Sequence, residues 1–398
     1  MKIRLYGLIA TGIYICIMLS AFFNMRYQLS EGRTWSRLFL MSIMLVIMLD
    51  LIYVFLEILD RKGRIGLSIA VALLFIAYEL IISYFNELIV VPEILRDVVP
   101  WPLTFAVLYH HITEHGIPER FRIITMAGLS VCCVLSVPNV ARHLVDYGRS
   151  GAVIFPVYYC IGFLGVYLRL ASGKSRYVFM TIVALILIVS TKRLGVLAVM
   201  AGIVVWFYGN AFIQGTLKDK SRKYVLYTFL LIVAMAVFFI LIERFNVSTI
   251  ERFLNLAEDE GSGRGYIWRV VMEHFGASSL LHKVFGHGYH SVAYRVYIWD
   301  RAQSMAHNSY METMYDYGLL GLLFVLLFVA FIVKKTVAAG KRHTESFPAL
   351  AYSMAGLALF SLFSYFFEQS VIILPYIVLW SICLGEEQYR ERIREGEA

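Results

Sequence analysis

The chain reads Gly-Ser-Gly-Arg-Gly-Tyr-Ile-Trp-Arg at residues 261–269, Gly-His-Gly-Tyr-His at 286–290 and His-Asn-Ser-Tyr at 307–310. These segments lie in one long polar stretch, from Glu243 to Gly321, and most of the remaining sequence consists of apolar runs. Runs of about 20 apolar residues are long enough to cross a membrane as helices. The polar stretch therefore separates two groups of predicted membrane helices, and it is where we expect any chemistry.

Composition supports this division of the chain. Of its 398 residues, 60% are hydrophobic and 16% are charged, and the mean hydropathy is +0.70. A soluble domain carries about 25% charged residues. The apolar runs are continuous rather than alternating, which excludes a membrane β-barrel. The sequence therefore predicts an all-α polytopic integral membrane protein.

About twelve spans are predicted from the apolar runs. They cover residues 5–24, 38–58, 66–84, 91–112, 121–138, 152–170, 177–191, 194–213, 225–242, 318–333, 347–366 and 370–385. The fourth contains Pro92, Pro100 and Pro102, so it could be broken or re-entrant. We predict one membrane domain over residues 1–398, with the loop at 243–317 packed back onto the bundle.

The net charge of +8 has a simple explanation in a membrane protein. Basic residues are concentrated in alternate loops, for example at Arg61, Lys218 and Lys334. Cytoplasmic loops carry such an excess of Lys and Arg. This rule predicts that both termini are cytoplasmic and that the loop at 243–317 is extracytoplasmic. Since it also accounts for the positive charge, we do not expect the protein to bind nucleic acid. The first apolar span is expected to be retained, because no small-residue cleavage site follows it.

Three helices are predicted in the polar stretch. Ser248 and Glu251 form a capping-box pattern for the first helix. Asn308 is a suitable N-cap for the third, which continues into the next span. The second runs from Arg264 to about Phe275, and its predicted apolar face consists of Ile267, Trp268, Val271, Met272 and Phe275.

The segment around Arg264 has the features of an anion site. Its glycines, at 261, 263 and 265, permit close approach of a ligand to the backbone. The N-terminus of a helix and a planar guanidinium both favour phosphate. Arg269 lies on the same helix. The alternative is a flexible loop in which Arg264 contacts lipid head groups or the acidic residues 258–260.

A second basic feature lies at a membrane boundary. Lys192 and Arg193 form the tight turn between two predicted spans. A basic residue at such a boundary can extend its head group to the interface as an anchor. Arg193 could instead contact an anionic, lipid-linked ligand.

Histidines provide candidates for proton transfer, because their ordinary pKa lies near neutral pH. His307 stands directly above a predicted span and in the same loop as Arg264, although a single histidine is more often structural. His287 and His290 could hydrogen-bond a sugar or a phosphate, and their spacing matches no familiar metal site. Glu368, between the last two spans, is a further candidate to face the same site. The five cysteines all lie in apolar runs and indicate small core residues.

The order of these features resembles a known family. An arginine in a tight turn between spans is followed by Ser-Gly-Arg with a downstream Trp, then by Gly-x-Gly, His-Asn-x-Tyr and Gly-x-x-Gly. This ordered set resembles the O-antigen ligase and Wzy-type polymerase superfamily, whose fold is grouped with the GT-C glycosyltransferases. The resemblance covers residues 178–330, and Phe367-Glu368-Gln369 is similar to a family feature. Over the first half of the chain it rests on hydropathy.

The resemblance implies a reaction in the bacterial inner membrane. A glycan on undecaprenyl pyrophosphate is transferred to an acceptor hydroxyl, with inversion and without a metal or other cofactor. Arg193 and Arg264 match arginines that bind the pyrophosphate, and His307 matches the histidine that activates the acceptor. Many members have Ser-Arg where this chain has Lys192-Arg193, which makes Lys192 an alternative to Arg193. The predicted substrate-binding residues are Lys192, Arg269, His287, His290, Asn308 and Glu368.

The acceptor separates the possible functions. A polymerase of O-antigen, capsule or exopolysaccharide adds to a second lipid-linked unit, and a ligase adds to lipid A–core or another surface acceptor. We favour the polymerase, with a chain-length regulator and a flippase as possible partners. A transporter of lipid-linked oligosaccharide would place its polar residues at the membrane midplane of matched halves. Here they are concentrated in one loop, which disfavours a transporter, and a purely structural scaffold is a further alternative.

Overall fold

A computed structural model describes residues 2–30, 33–60, 66–86, 91–146, 156–189, 193–213, 264–298, 302–303 and 305–396. The helices in chain order are α1 Lys2–Ser30, α2 Arg33–Asp60, α3 Leu67–Phe85, α4 Val91–Asp97, α5 Pro100–His115, α6 Arg120–Asp146, α7 Pro156–Leu170, α8 Ser175–Val189, α9 Arg193–Ile213, α10 Arg264–Ala277, α11 Leu280–Phe285, α12 Ser291–Arg295, α13 Ser309–Lys341, α14 Phe347–Phe363 and α15 Ser370–Glu395. Two short strands, β1 Tyr297–Ile298 and β2 Ala302–Gln303, pair antiparallel.

Six helices in the described part of the chain are long and apolar enough to cross a membrane. They span Arg4–Tyr27, Arg33–Asp60, Leu67–Phe85, Arg120–Pro138, Leu194–Ile213 and Ser309–Lys341. Shorter apolar helices cover Tyr158–Leu170, Ser175–Leu187 and Phe347–Phe363. The prediction of an α-helical polytopic membrane protein is confirmed. The count of twelve spans stays a prediction, and the span predicted at 225–242 lies outside the described residues.

The fourth predicted span is broken, as its prolines suggested. Residues 98 and 99 separate α4 from α5, and Pro100 stands in the first turn of α5. Proline is accepted there because the first backbone N–H groups of a helix have no partner within the helix.

Helix α15 forms the centre of the bundle. From Ile372 to Leu384 almost every side chain is buried, and the helix packs against α5 and α7. Gly162 of α7 permits the close approach, because a Cβ atom there would lie 2.5 Å from the Cβ of Pro375. The five cysteines are buried and unpaired, as predicted.

Carboxyl groups within the predicted spans have polar neighbours. Between α2 and α5, the Thr104 hydroxyl donates to the Asp50 carboxyl at 2.6 Å, and Glu57 lies 2.8 Å from Nε2 of His110. Glu79 of α3 is buried near Asp316 and Glu368. The partners of Asp50 and Glu57 offset the cost of placing polar groups at membrane depth, whereas the carboxyls near Glu79 do not, because like charges repel.

Helix α13 is broken at Gly318, where φ is 65°. The freed carbonyls of Tyr315 and Asp316 accept hydrogen bonds from the backbone N–H groups of His287 and Gly288, at 3.1 and 2.7 Å. A Cβ at Gly318 would lie 2.3 Å from the Val284 carbonyl oxygen. We call this contact of residues 284–288 with residues 315–318 the glycine crossing.

The described part of residues 243–317 contacts α3 and α4. The Tyr78 hydroxyl of α3 donates to the Tyr317 carbonyl at 2.6 Å. Tyr289 donates its backbone N–H to Ser83 at 3.1 Å and its hydroxyl to Asp97 at 3.0 Å. These bonds join α3 to the glycine crossing, and they join α3 and α4 to Tyr289, the residue that follows 284–288.

Candidate functional site

The site begins at the first turn of α13. Asn308 is the N-cap, and its side-chain oxygen accepts from the backbone N–H groups of Tyr310 and Met311 at 3.0 and 3.2 Å. This satisfies two donors that a helix start leaves without partners. The predicted cap is confirmed. The side-chain oxygen of Asn308 already accepts two hydrogen bonds from the helix, and the predicted contact of this residue with substrate stays a prediction.

His307 precedes this cap and has a left-handed backbone, with φ of 54°. Such a conformation is costly for a residue other than glycine and persists where neighbouring contacts enforce it. Those contacts act on Ala306, whose N–H donates to the Glu312 carboxyl at 2.6 Å. Its carbonyl accepts from the Trp268 indole at 2.8 Å. The backbone is therefore held by Ala306 immediately before His307 and by the Asn308 cap immediately after it.

The turn between α14 and α15, residues 364–369, brings Tyr365 against His307. The tyrosine hydroxyl lies 2.8 Å from Nε2 of the imidazole, and the ring centres are 4.5 Å apart. The turn is anchored to α13 because the Phe366 N–H donates to the Ser309 hydroxyl at 2.6 Å. Two segments that are distant in sequence thus meet at His307.

Glu368 is held by the same helix start. It is 7% exposed, and it accepts hydrogen bonds from the hydroxyls of Ser309 at 2.8 Å and Thr313 at 3.0 Å. Burial raises the pKa of Glu368 to about 7, although the two hydroxyl donors oppose the rise. Glu368 therefore lies beside the start of α13, and both of its oxygens accept hydrogen bonds within the protein. Its predicted contact with substrate stays a prediction.

Arg264 is the first residue of α10 and is half-buried. Burial raises the pKa of Tyr365, the Glu312 carboxyl adds to the rise, and the Arg264 guanidinium opposes it. Arg264 is thus close enough to act electrostatically on the hydroxyl that contacts His307. The structure brings a permanent positive charge and an imidazole to the same tyrosine.

The predicted helix at Arg264 is confirmed, and its apolar face is largely confirmed. Ile267 and Val271 are buried, with Trp268 and Phe275 packed against them, whereas Met272 is 43% exposed. Met272 was wrongly assigned to the buried face.

Arg269 is exposed, and its guanidinium carbon lies 5.9 Å from the centre of the Tyr266 ring. Five residues along an α-helix correspond to a rotation of about 140°. Arg264 and Arg269 therefore project from different sides of α10. The predicted binding role of Arg269 would require a ligand that reaches around the helix.

His287 has a structural environment. Its ring stacks between His282 and Tyr315, with ring centres 4.3 and 4.6 Å away. The Ser278 hydroxyl donates to the His274 carbonyl, so the His287 Nε2–H donates to Ser278, at 2.8 Å. Burial lowers the pKa of His287 to about 4, and the neighbouring His282 adds to the fall. The ring is therefore neutral at ordinary pH, and a sugar or phosphate contact stays a prediction.

His290 also has a left-handed backbone, with φ of 54°, and it caps α12. Its ring stacks on Tyr289 at 4.0 Å, and burial lowers its pKa. The Asp316 carboxyl accepts from the backbone N–H of Val292 at 3.2 Å, which joins α12 to α13. The structure places His290 near α4, and its predicted role also stays a prediction.

Several predicted features lie outside the described residues, among them Lys192, the glycines at 261 and 263, and the helix opened by Ser248. Helix α9 begins at Arg193, but the side chain of this residue is outside the description. Whether Arg193 meets Arg264 is therefore an open prediction.

The sequence interpretation missed Tyr365, Glu312 and Asp316. Glu312 and Asp316 are four residues apart, so they lie on one side of α13, and both accept from backbone N–H groups of the preceding loop. Buried acidic residues at the start of an apolar helix were a usable signal. Tyr365 had no such local signal. Within the described part of the chain, no three His, Cys, Asp or Glu side chains are grouped so as to hold a metal ion.

A model of the family described as O-antigen ligase matches residues 177–326. The match includes Arg193, Arg264 and His307, whereas Tyr365 and Glu368 lie beyond its end. The resemblance to the O-antigen ligase and Wzy-type superfamily is thereby confirmed over this segment. Together with the apolar helices, it indicates a membrane protein with a ligase or polymerase role in glycan assembly. No curated protein matches the chain.

Proposed function

We propose that the protein is a membrane glycosyltransferase that polymerises undecaprenyl-pyrophosphate-linked oligosaccharide units on the extracytoplasmic side of the bacterial inner membrane. One observation carries this proposal. Within the segment that matches the ligase family, Arg264 and His307 both act on Tyr365, one electrostatically and one by a direct contact. A cation for the leaving pyrophosphate and an imidazole for the acceptor proton are the two groups that this transfer needs.

The reaction can be written with these residues. The acceptor hydroxyl gives its proton to His307 as its oxygen attacks the anomeric carbon of the donor. The bond from that carbon to the pyrophosphate oxygen breaks, and the lipid pyrophosphate leaves with the electron pair. Arg264, and Arg193 if its side chain reaches the same place, would stabilise the charge that develops on the leaving oxygen. The sugar is transferred with inversion, and the imidazolium then releases its proton to water.

A ligase is the second candidate, favoured by the description of the matching family. It would use the same donor and the same two residues, with lipid A–core or another surface molecule as the acceptor. The two candidates differ in which glycan accumulates when the protein is missing.

Deletion of the gene, followed by gel electrophoresis of surface glycans, tests the proposal. Loss of the polymer ladder with single repeat units still attached to the surface is the result expected of a polymerase. Polymer that accumulates on the lipid carrier, with none on the surface acceptor, would identify a ligase instead. An unchanged glycan profile would overturn both.

Complementation with variants tests the site. Arg264→Ala should abolish the product, because a developing charge would lose its cation, while the amount of protein in the membrane stays the same. Arg264→Lys keeps the charge but not the planar fork, so it should restore part of the activity. Lys283→Ala is a matched control, since it removes a cation of the same polar stretch that has no described contact with His307. Product formed by Arg264→Ala at the control level would remove Arg264 from the site.

A further inference from the structure

Tyr365 contacts His307 through the edge of the imidazole. Its hydroxyl lies 2.8 Å from Nε2, and the two rings are tilted by 35° with centres 4.5 Å apart. A base that is itself oriented by a third group is a general arrangement in proton-transfer sites. We propose that Tyr365 is a positioning residue that holds the His307 imidazole by Nε2 in the orientation in which it meets the acceptor hydroxyl. This inference rests on the proposed function of His307 as the base.

Tyr365 and His307 are anchored to the same helix start. The Ser309 hydroxyl accepts from the backbone N–H groups of Phe366 and Phe367 at 2.6 and 3.3 Å. His307 is two residues before Ser309, and Tyr365 is one residue before Phe366. The hydrogen bonds to Ser309 hold the turn that carries Tyr365 against the helix start that carries His307. The phenol and the imidazole also contact each other directly. Together these hydrogen bonds keep the imidazole in place without contact from the substrate.

The backbone of His307 leaves the ring few ways to move. Its left-handed conformation is fixed through Ala306, which is bound by Glu312 on one side and by Trp268 on the other. Rotation about the two side-chain bonds is the remaining freedom, and the hydrogen bond to Tyr365 restricts that rotation.

The charges around the phenol keep it neutral. Burial raises the pKa of Tyr365, and the carboxyls of Glu312 on α13 and Glu368 in the turn raise it further. Arg264 on α10 opposes this, and Tyr158 on α7 is the other titratable group that faces Tyr365 among the described residues. A neutral phenol oxygen can accept a hydrogen bond from the imidazole Nε2–H. That bond becomes stronger when His307 takes up the acceptor proton and turns into imidazolium.

The test compares Tyr365→Phe with Tyr310→Phe in the purified full-length protein. Tyr310 is a matched control, because its hydroxyl bonds Ser361 at 3.2 Å and has no described contact with His307. Tyr365→Phe should lower kcat by about 10- to 100-fold, with little change in KM for the donor. The acid limb of its pH–rate profile should move to lower pH, because the imidazolium loses an acceptor. Tyr310→Phe should change neither kcat nor the position of the acid limb.

A double variant separates positioning from a general effect on stability. If Tyr365 acts through His307, then Tyr365→Phe should cost little further activity when His307→Gln is already present. Losses that multiply, or a Tyr365→Phe profile identical to that of Tyr310→Phe, would overturn the inference. If His307→Gln itself is as active as the wild type, the proposed function fails instead. Unfolding temperatures of all variants identify any that fail to fold.

Discussion

His287 and His307 lie in the same polar stretch, but their surroundings differ. His287 is inside the glycine crossing, stacked between His282 and Tyr315, with a pKa lowered to about 4. His307 is half-buried at a helix start and contacts a tyrosine from a distant turn. In the first region the imidazole fills space among other rings. In the second, the structure holds the backbone before and after the histidine and places Tyr365 against its ring.

The two regions also differ in what holds them. The glycine crossing depends on backbone atoms that approach so closely that no side chain fits between them. The region of His307 depends on side-chain hydrogen bonds to backbone groups, made by Glu312, Trp268 and Asn308. A change of sequence should therefore affect folding in the first region and catalysis in the second.

The largest effect is expected at the glycine crossing. In Gly318→Ala the new Cβ would lie 2.3 Å from the Val284 carbonyl oxygen, at a φ of 65°. We expect a loss of at least about 3 kcal/mol in the free energy of unfolding, seen as a fall in unfolding temperature in detergent. Gly276→Ala is the control, because its Cβ would meet no atom within 4 Å. Equal stability of the two variants would show that the crossing is not what holds this region.

The next effect is on catalysis. His307→Ala should lower the rate of transfer by at least about 100-fold, the usual contribution of a general base, with a nearly unchanged unfolding temperature. His287→Ala should show the reverse pattern, with a lower unfolding temperature and less than about a tenfold loss of rate per folded molecule. Transfer assays and thermal unfolding on the same preparations distinguish them. An inactive His287→Ala protein with an unchanged unfolding temperature would support the predicted contact of His287 with substrate. It would contradict the distinction drawn here between His287 and His307.

Glu368, which lies in the region of His307, should make the stability of the protein depend on pH. Its pKa rises from an ordinary value of 4.5 to about 7 in the folded protein. Between these values the folded state holds a proton that the unfolded state has lost, so its contribution to stability decreases as pH rises through this window. Glu368→Gln should remove this decrease, which amounts to at most about 3 kcal/mol. Stability curves from pH 4.5 to 8 that are identical for the variant and the wild type would contradict this.

The pH effect expected at His287 is of similar size and has the opposite sign. Because the folded pKa of His287 is lowered from 6.5 to about 4, the unfolded state takes up a proton first as the pH falls. Stability from this group is present above pH 6.5 and decreases as the pH falls toward 4. His287→Asn should flatten this part of the stability curve. Unfolding temperatures measured across the window decide the matter.

Local signals in the sequence predicted the elements of the site. The apolar spacing on α10 and the N-cap at Asn308 each depend on a few neighbouring residues, and the structure has both. Arg264 and His307 were also predicted, as two residues of one proposed site. Their common neighbour Tyr365 was not, because it comes from a turn 58 residues after His307. Only the packing of α14 and α15 brings the tyrosine there.

The break in α13 shows a second limit of the sequence. The run after Gly318 is apolar and helical in pattern, so the span was predicted to begin there. The helix that begins at Ser309 and continues into this span was predicted from the cap at Asn308, but its change of direction at Gly318 was not. The reason is the pairing of Tyr315 and Asp316 with residues 287 and 288, and a periodicity analysis does not include such contacts.

Tyr365 and Glu368 follow His307 by more than 50 residues, which has a consequence for biosynthesis. The ribosome makes α10 and the start of α13 well before the turn at 364–369. Until that turn has been made, Ser309 lacks the backbone donors of Phe366 and Phe367, and His307 lacks its phenol. The proposed site at His307 would therefore be complete only after the turn at 364–369 has been made.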